Sequence, residues 1–342
     1  MSFRTSEFRV ICSGLKYPEG PISLPDGSII LCELAGGTLT RVSPEGTATI
    51  IAALGGSPNG AAVGPDGKVY VCNSGGFTFL YVGDKGIAAA PYDGAICLAG
   101  NQPPAYTGGS IQRVDVDSGT FETLYTEFPT ATGAALPLKG PDDIVFDDQG
   151  GFWFTDWGKA RDRDRDATGI YYARPDGSSI REVLFPLDAP NGIGLSPDRR
   201  RLYVAETYTR RVLFWELAGP GQIAPTGETI DHAHLLTAQI PGQGLLDSMT
   251  LDAEGNVYVA TLLPHGNVFT SNGGITVISP TGEVLDFIEL AVGGIFDPLP
   301  SNICFGGPDR RTAFITLGGT GRLVACEMRI PGLPPAFHLE AR

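Results

Sequence analysis

Six residues with oxygen-bearing side chains stand at equivalent points of a repeated pattern, and they are the residues of this chain most suited to joint chemistry. They are Glu19, Asn59, Asp142, Asn191, Asp247 and Asn302. None is His or Cys, so a cage built from them would be hard, matched to Ca²⁺, Mg²⁺ or Mn²⁺ rather than to a thiolate zinc site. Asn and Asp also favour turns, which is a sufficient account of Asn59 or Asn302 taken singly. It does not cover the set. Glu19 is a poor turn residue, and three carboxylates (Glu19, Asp142, Asp247) drawn into one channel would repel or be forced to protonate. A bound divalent cation removes that conflict.

The elements that must bring these residues together follow from the repeat itself. PEGPISLPDGSIILCE carries Glu19, a short apolar run, the turn Pro25-Asp26-Gly27 and a second apolar run. SPNGAAVGPDGKVYVCN, GPDDIVFDDQGGFWFTD, APNGIGLSPDRRRLYVAE, LLDSMTLDAEGNVYVAT and LPSNICFGGPDRRTAFIT repeat it. Gly27, Gly67, Gly150 and Gly255 each follow their lead residue by eight positions, and Arg199 and Arg310 fill the slot in the other two units. Gly after a short polar turn between apolar runs marks a hairpin that needs positive φ. Third strands are expected at TLTRVSP, SIQRVDVD, GIYYARP, RVLFWEL and GITVISP. Propeller blades of four strands take about 40–50 residues. The fold class expected is therefore all-β, a six-bladed propeller of four-stranded antiparallel blades forming one domain over 1–342. In such a ring the residue just before each innermost strand lies at a channel mouth beside its five equivalents. The largest insertion, around 75–109, is expected to cross that mouth.

Composition agrees: the chain has 342 residues with 47 Gly, 27 Pro and 42% apolar content, suited to many short strands joined by tight turns. A net charge of −14 argues against nucleic-acid binding, which needs a basic surface. No apolar stretch reaches the length of a membrane helix, and the first residues lack an apolar signal-peptide core. The six widely spaced cysteines contain no C-x-x-C pair and read as reduced strand residues. Together these point to a cytoplasmic protein without nucleic-acid or membrane partners; the oligomeric state is left open.

The motifs YPEGP at Glu19, PDDIVFD at Asp142, PNGIGLSPD at Asn191, LDSMTLDAEGNVYVA at Asp247 and SNICFGG near the end resemble the regucalcin/gluconolactonase family (senescence marker protein, gluconolactonase and luciferin-regenerating enzyme). The resemblance runs over most of 15–328. It implies a six-bladed propeller that holds one divalent cation through a Glu, an Asn and an Asp, here Glu19, Asn191 and Asp247. Calcium is the first expectation, with Zn²⁺, Mn²⁺ or Mg²⁺ as alternatives. It also implies a small-molecule lactone as substrate. Asp142 stands where that family often has Asn, and Gly140 stands where its sugar-lactone hydrolases place an Arg. With the cation as Lewis acid, Asp247 is the first choice for activating water, and Asp142 or Asp143 is the reserve base. Asn59, Asp142, Asn73 and Asn191 are expected to orient substrate, and His265 to reach the pocket. A phosphotriesterase on the same cage and a calcium-stabilised binding propeller are the alternatives, since fold alone does not select a function.

Three weaker signals have plainer readings. His232 and His234 are assigned to a surface strand or loop between repeats. The run RDRDRD at 161–166 lacks the Gly and Glu of a calcium loop and reads as solvated. Trp153 and Trp215 are assigned to blade packing, Trp157 to packing within reach of the pocket, and Tyr17 and Phe296 to apolar walls.

Overall fold

The computed structural model describes residues 2–81, 97–225, 233–262, 272–292 and 297–339. Within them the chain forms a six-bladed β-propeller. The first blade runs Pro18–Ser23, Ile29–Glu33, Thr38–Val42 and Ala48–Ala53 outward from the axis. The second is Pro58–Val63, Val69–Asn73, Ser110–Val114 and Phe121–Tyr125. The third is Pro141–Phe146, Phe152–Asp156, Thr168–Ala173 and Ile180–Leu187. The fourth is Pro190–Leu195, Arg201–Glu206 and Arg211–Gly219, with Gln222–Ile223 and His234–Thr237 both pairing its third strand. The fifth is Leu245–Leu251, Val257–Leu262, Gly274–Ile278 and Val284–Glu289. The sixth joins Pro300–Gly306, Thr312–Leu317 and Arg322–Glu327 to the N-terminal strand Arg9–Ser13. That last pairing fastens the two ends of the chain into one blade and closes the ring, so the inner strands have no free flank. All five expected third strands are present.

Each second strand is covered on both faces by neighbouring blades, which is why IILC, VYVC, FWF, LYVA, VYVA and AFIT read as near-continuous apolar runs. An apolar cluster fills each blade–blade interface. Tyr70, Ile144, Phe152 and Phe154 join the second blade to the third, and Tyr258, Ile275, Ile303 and Ile315 join the fifth to the sixth. Trp153 and Trp215 are buried between the third and fourth, as their apolar settings suggested. Of the described cysteines, Cys12, Cys32, Cys72, Cys304 and Cys326 are free thiols.

The eighth-position turn residues adopt positive φ without exception: 83° at Gly27, 70° at Gly67, 81° at Gly150 and 84° at Gly255, with 59° at Arg199 and 54° at Arg310. In the first five blades that residue alone is left-handed; in the sixth, Gly307 is as well, at 79°. In the first blade Gly27 N–H donates to Leu24 O and Leu24 N–H to Ser28 O, a three-residue loop rather than a two-residue turn with both central residues at positive φ. No described helix is long and apolar enough to span a membrane.

Candidate active site at the channel mouth

The lead residues lie inside the innermost strands rather than just before them. Glu19, Asn59, Asp142 and Asn191 are the second residues of their strands, and Asp247 and Asn302 the third. Each strand breaks register there: between Glu19 and Ile22, Pro58 and Ala61, Pro141 and Ile144, Pro190 and Ile193, Leu246 and Met249, and Pro300 and Asn302. A register break of this kind re-aims a side chain; repeated six times, it sets the lead side chains into the channel. The inner strands can approach there because Gly follows three of the leads. A Cβ on Gly20 would stand 2.4 Å from Asn59 O, one on Gly60 2.6 Å from Asp142 O, and one on Gly192 2.8 Å from Asp247 O.

All six lead residues are buried, and neighbouring leads bond in pairs, Asn302 with Glu19, Asn59 with Asp142 and Asn191 with Asp247. Asn302 Nδ2 donates to Glu19 Oε2 at 2.8 Å, and Gly20 N–H donates to the same oxygen at 2.8 Å. Asn59 Nδ2 donates to Asp142 Oδ2 at 3.0 Å. Ser248 Oγ donates to Asn191 Oδ1 at 3.4 Å, while Asn191 Nδ2 donates to Thr207 Oγ1 at 3.3 Å. Asn302, explicable from sequence as an ordinary turn residue, is thus the partner that fixes Glu19. Asp143 sits one residue deeper. Its carboxylate accepts from Ile144 N at 2.9 Å and, across the blade boundary, from Ile193 N at 3.3 Å. That carboxylate ties inner strands together.

Burial dominates the electrostatics. It raises the Glu19 carboxyl well above the usual range, and the neighbouring Asp247 charge raises it further, against the pull of Asn302 and Gly20. Burial and then the charges of Asp247, Glu19 and Asp143 raise Asp142; Lys159 is the cation that opposes this. Asp247 is pushed up to about 7 by burial, with hydrogen bonding from Asn191 drawing it down. Asp143 likewise reaches about 7 through burial, opposed by backbone N–H groups. Four carboxyls in one desolvated channel are the main unresolved charge of the fold.

The chemistry of these residues fits a hard cation. Asp142 Oδ1 and Asn59 Oδ1 are buried oxygens without a hydrogen-bond donor, as ligating or substrate-facing oxygens would be. A cation would relieve the mutual repulsion that raises Glu19 and Asp142. Among the described residues no three His, Cys, Asp or Glu side chains stand as a ready-made metal cluster, so amide oxygens would have to share the task.

Other expected site residues lie elsewhere. Asn73 is buried with its bonding capacity spent on its own blade: Oδ1 accepts from Ser57 N and Gly75 N, and Nδ2 donates to Gly55 O and Gln112 Oε1. His265, His232 and Phe296 lie outside the described residues. His234 stacks on Phe214 with ring centroids 4.9 Å apart, on an outer strand of the fourth blade. In the 161–166 loop, Arg161 pairs with Asp164 and Asp166. Trp157 does reach the site: its Nε1 donates to Thr207 Oγ1 at 3.1 Å, the hydroxyl that also receives Asn191.

Asn73 belongs to a supporting set that the repeat contains and that went unrecognised. Glu33, Asn73 and Asp156 each follow Glu19, Asn59 and Asp142 by fourteen residues, and Glu206 follows Asn191 by fifteen. Each closes a second strand and accepts from the loop that delivers the lead. Glu33 takes Lys16 N at 2.7 Å, Asn73 takes Ser57 N at 3.1 Å, Asp156 takes Gly140 N at 2.7 Å and Glu206 takes Asp188 N at 3.0 Å. The signal is a polar acceptor ending an apolar run fourteen or fifteen residues after the lead.

Comparison with known proteins places this architecture. Residues 17–319 match the family model described as SMP-30/Gluconolactonase/LRE-like region. A lactonase drp35 of Staphylococcus haemolyticus is 33% identical over 165 residues, 48% of this chain and 46% of that protein, so the chain matches less than half the length of that relative. A gluconolactonase of Zymomonas mobilis is 24% identical over 311 residues, covering 88% of this chain and 76% of that protein. Among solved structures, a gluconolactonase of Xanthomonas campestris superposes with a TM-score of 0.68 at 20% identity, over 95% of this chain and 91% of its own. A calcium-binding regucalcin of Agrobacterium tumefaciens gives 0.68 at 16% identity, over 99% and 98%; at these identities the likeness is one of fold. With most of its length matched by the family model, the chain belongs to the SMP-30/gluconolactonase/LRE-like family.

Proposed function

We propose that this protein hydrolyses a small lactone at the channel mouth, with a divalent cation, calcium first, held by Glu19, Asn191 and Asp247. The observation that carries the reading is the ring of inward-facing buried carboxyls and amides at one end of the channel, in a chain whose named relatives include lactonases. When bound, the cation would supply Lewis acidity toward the lactone carbonyl oxygen.

The chain's own groups do the rest. Asp247, with a carboxyl near neutrality, takes a proton from water as the water oxygen adds to the carbonyl carbon. The ring C–O bond then breaks, and the leaving oxygen receives that proton from Asp247, giving one hydroxy acid per lactone and water consumed. Asn302 and Gly20 hold Glu19 by its Oε2, so this oxygen keeps one orientation through the cycle. Asn59 presents its unpartnered Oδ1 to a substrate hydroxyl, and Asp142, carrying its own unpartnered oxygen, is the second acceptor. Burial of the ring excludes bulk water and strengthens each of these contacts.

Turnover of a panel of sugar, aliphatic and aromatic lactones by wild type, Asp247→Ala and Glu19→Gln tests this. Both substitutions are expected to lower kcat/KM by at least about a hundredfold. Retained turnover in both variants, with cation still bound, overturns the assignment.

A further inference from the structure

Lys159 is buried to 1% exposure just beyond the strand Phe152–Asp156. A lone ammonium there is costly, and its surroundings explain how it is kept. Its Nζ donates to Gly76 O at 2.9 Å and stands 3.8 Å from the centre of the Phe77 ring and 5.5 Å from that of Tyr106. Burial draws this ammonium down to about 8, while Asp156, Asp142 and Asp166 act to hold its proton. Lys159 thus bridges the Asp142 corner of the mouth and a separate strap, residues 75–79 and 103–109. Its Cε passes 3.4 Å from where a Cβ on Gly140 would be, two residues before Asp142.

The strap is seated closely. Tyr106 Oη donates to Lys139 O at 2.6 Å. Gly75 lies so near Gly108 O and the Tyr106 ring that a Cβ would stand 2.2 Å and 2.9 Å from them. Through the strap, Phe77 meets Trp157 edge-on at 5.8 Å, and Trp157 meets Tyr208 at 5.6 Å. Trp157 is in turn fixed by Thr207, the hydroxyl shared with Asn191. A line of contacts therefore runs from Lys159 through Phe77 and Trp157 to a lead residue of the ring.

We infer that Lys159 is a positioning residue that seats this strap at the channel mouth, giving the substrate chamber an aromatic wall of Phe77, Trp157 and Tyr208 that favours lactones bearing an apolar ring. The inference rests on the lactonase reading for its substrate class and on geometry alone for the seating. All three rings are half-buried, so each keeps surface for a ligand, and a flat apolar group gains more from edge and face contacts than a ring whose hydroxyls must be desolvated.

Two variants separate the contributions. Lys159→Met keeps the length of the side chain and removes the charge; Phe77→Leu removes the ring and leaves the ammonium. Steady-state kinetics would use unsubstituted γ-butyrolactone and its phenyl-substituted form. Both variants are expected to raise KM for the phenyl-substituted lactone about tenfold, with kcat within about threefold and the KM of the unsubstituted lactone within about twofold. Unchanged KM for the phenyl-substituted lactone, or an equal rise on both, overturns the inference. Should Lys159→Met fail to fold, Phe77→Leu carries the same comparison. If wild type opens no lactone of the wider panel, the lactonase reading fails by itself; if it opens sugar lactones alone, the aromatic-wall preference is overturned. The seating is then read by amide hydrogen exchange over 75–79, expected about tenfold faster in Lys159→Met; unchanged exchange there overturns it.

Discussion

Glu19, Asp142, Asp143 and Asp247 share one desolvated channel, and their raised carboxyl pKa values have a thermodynamic consequence. A carboxyl whose pKa is higher in the folded than in the unfolded protein binds more protons when folded. Stability is then fully present at low pH and falls as pH rises from the ordinary carboxylate range through the folded pKa. For Asp143 and Asp247 that window closes at about 7, and Glu19 and Asp142 are shifted in the same direction. In chelator, the thermal midpoint is therefore expected to fall between about pH 5 and pH 8. Calcium should raise the midpoint more at pH 8 than at pH 5, because the cation needs the ionised ligands that the bare channel penalises. Scanning fluorimetry at the two pH values, with and without calcium, measures both slopes. A calcium effect equal at both, or none at either, would remove the cation from these residues.

At the scale of elements, the hairpins were legible and the geometry around the leads was not. Apolar runs flanking Asp26-Gly27 or Asp66-Gly67 encode strands and a left-handed turn residue locally, so chain spacing alone reveals them. Even Arg199 and Arg310, which carry no such preference, take positive φ at that point of their hairpins. The register breaks at Glu19 and its equivalents depend on how each inner strand meets its neighbour, which no local pattern states. For the same reason turn preference alone accounts for Asn302 in the sequence, although its amide reaches Glu19 across the ring closure. Asn73 shows the converse error. Its side chain is polar and near the mouth, but it serves the backbone of the loop before Asn59 instead of a ligand. Asn73→Ala would leave the buried Ser57 N and Gln112 Oε1 without this partner, at a cost of about 1–3 kcal/mol. Denaturant unfolding should show that loss. KM should rise with it as the Asn59 loop loosens, whereas unchanged stability would mean that the acceptors closing the second strands do not brace the site.

For the whole molecule, closure has two parts, and the second lies across the end of the channel opposite the lead residues. The N-terminal strand Arg9–Ser13 completes the sixth blade beside Arg322–Glu327. Beyond it, the C-terminal segment does not leave the propeller but crosses the face opposite the lead residues, along the turn ends of the inner strands. Gly332 N–H donates to Arg310 O at 2.8 Å, Ala253 N–H to Pro331 O at 2.9 Å and Leu333 N–H to Leu251 O at 2.9 Å. Phe337 then meets Phe146 edge-on at 5.8 Å, and Leu339 packs against the cluster of Leu24 and Val63. The segment so touches the sixth, fifth, third and first blades in turn, covering the far end of the channel and fastening blades that share no strand. Leu333, Ala336, Phe337 and Leu339 pack on the core only partly buried, so removing residues 331–342 should cost about 3 kcal/mol, seen as a drop in thermal midpoint of roughly 4 °C. Because Glu19, Asn191 and Asp247 face the other end, KM for any lactone turned over should stay within about twofold. A several-fold change in KM with an unchanged midpoint would mean that substrate passes through the covered end and that the segment guards it.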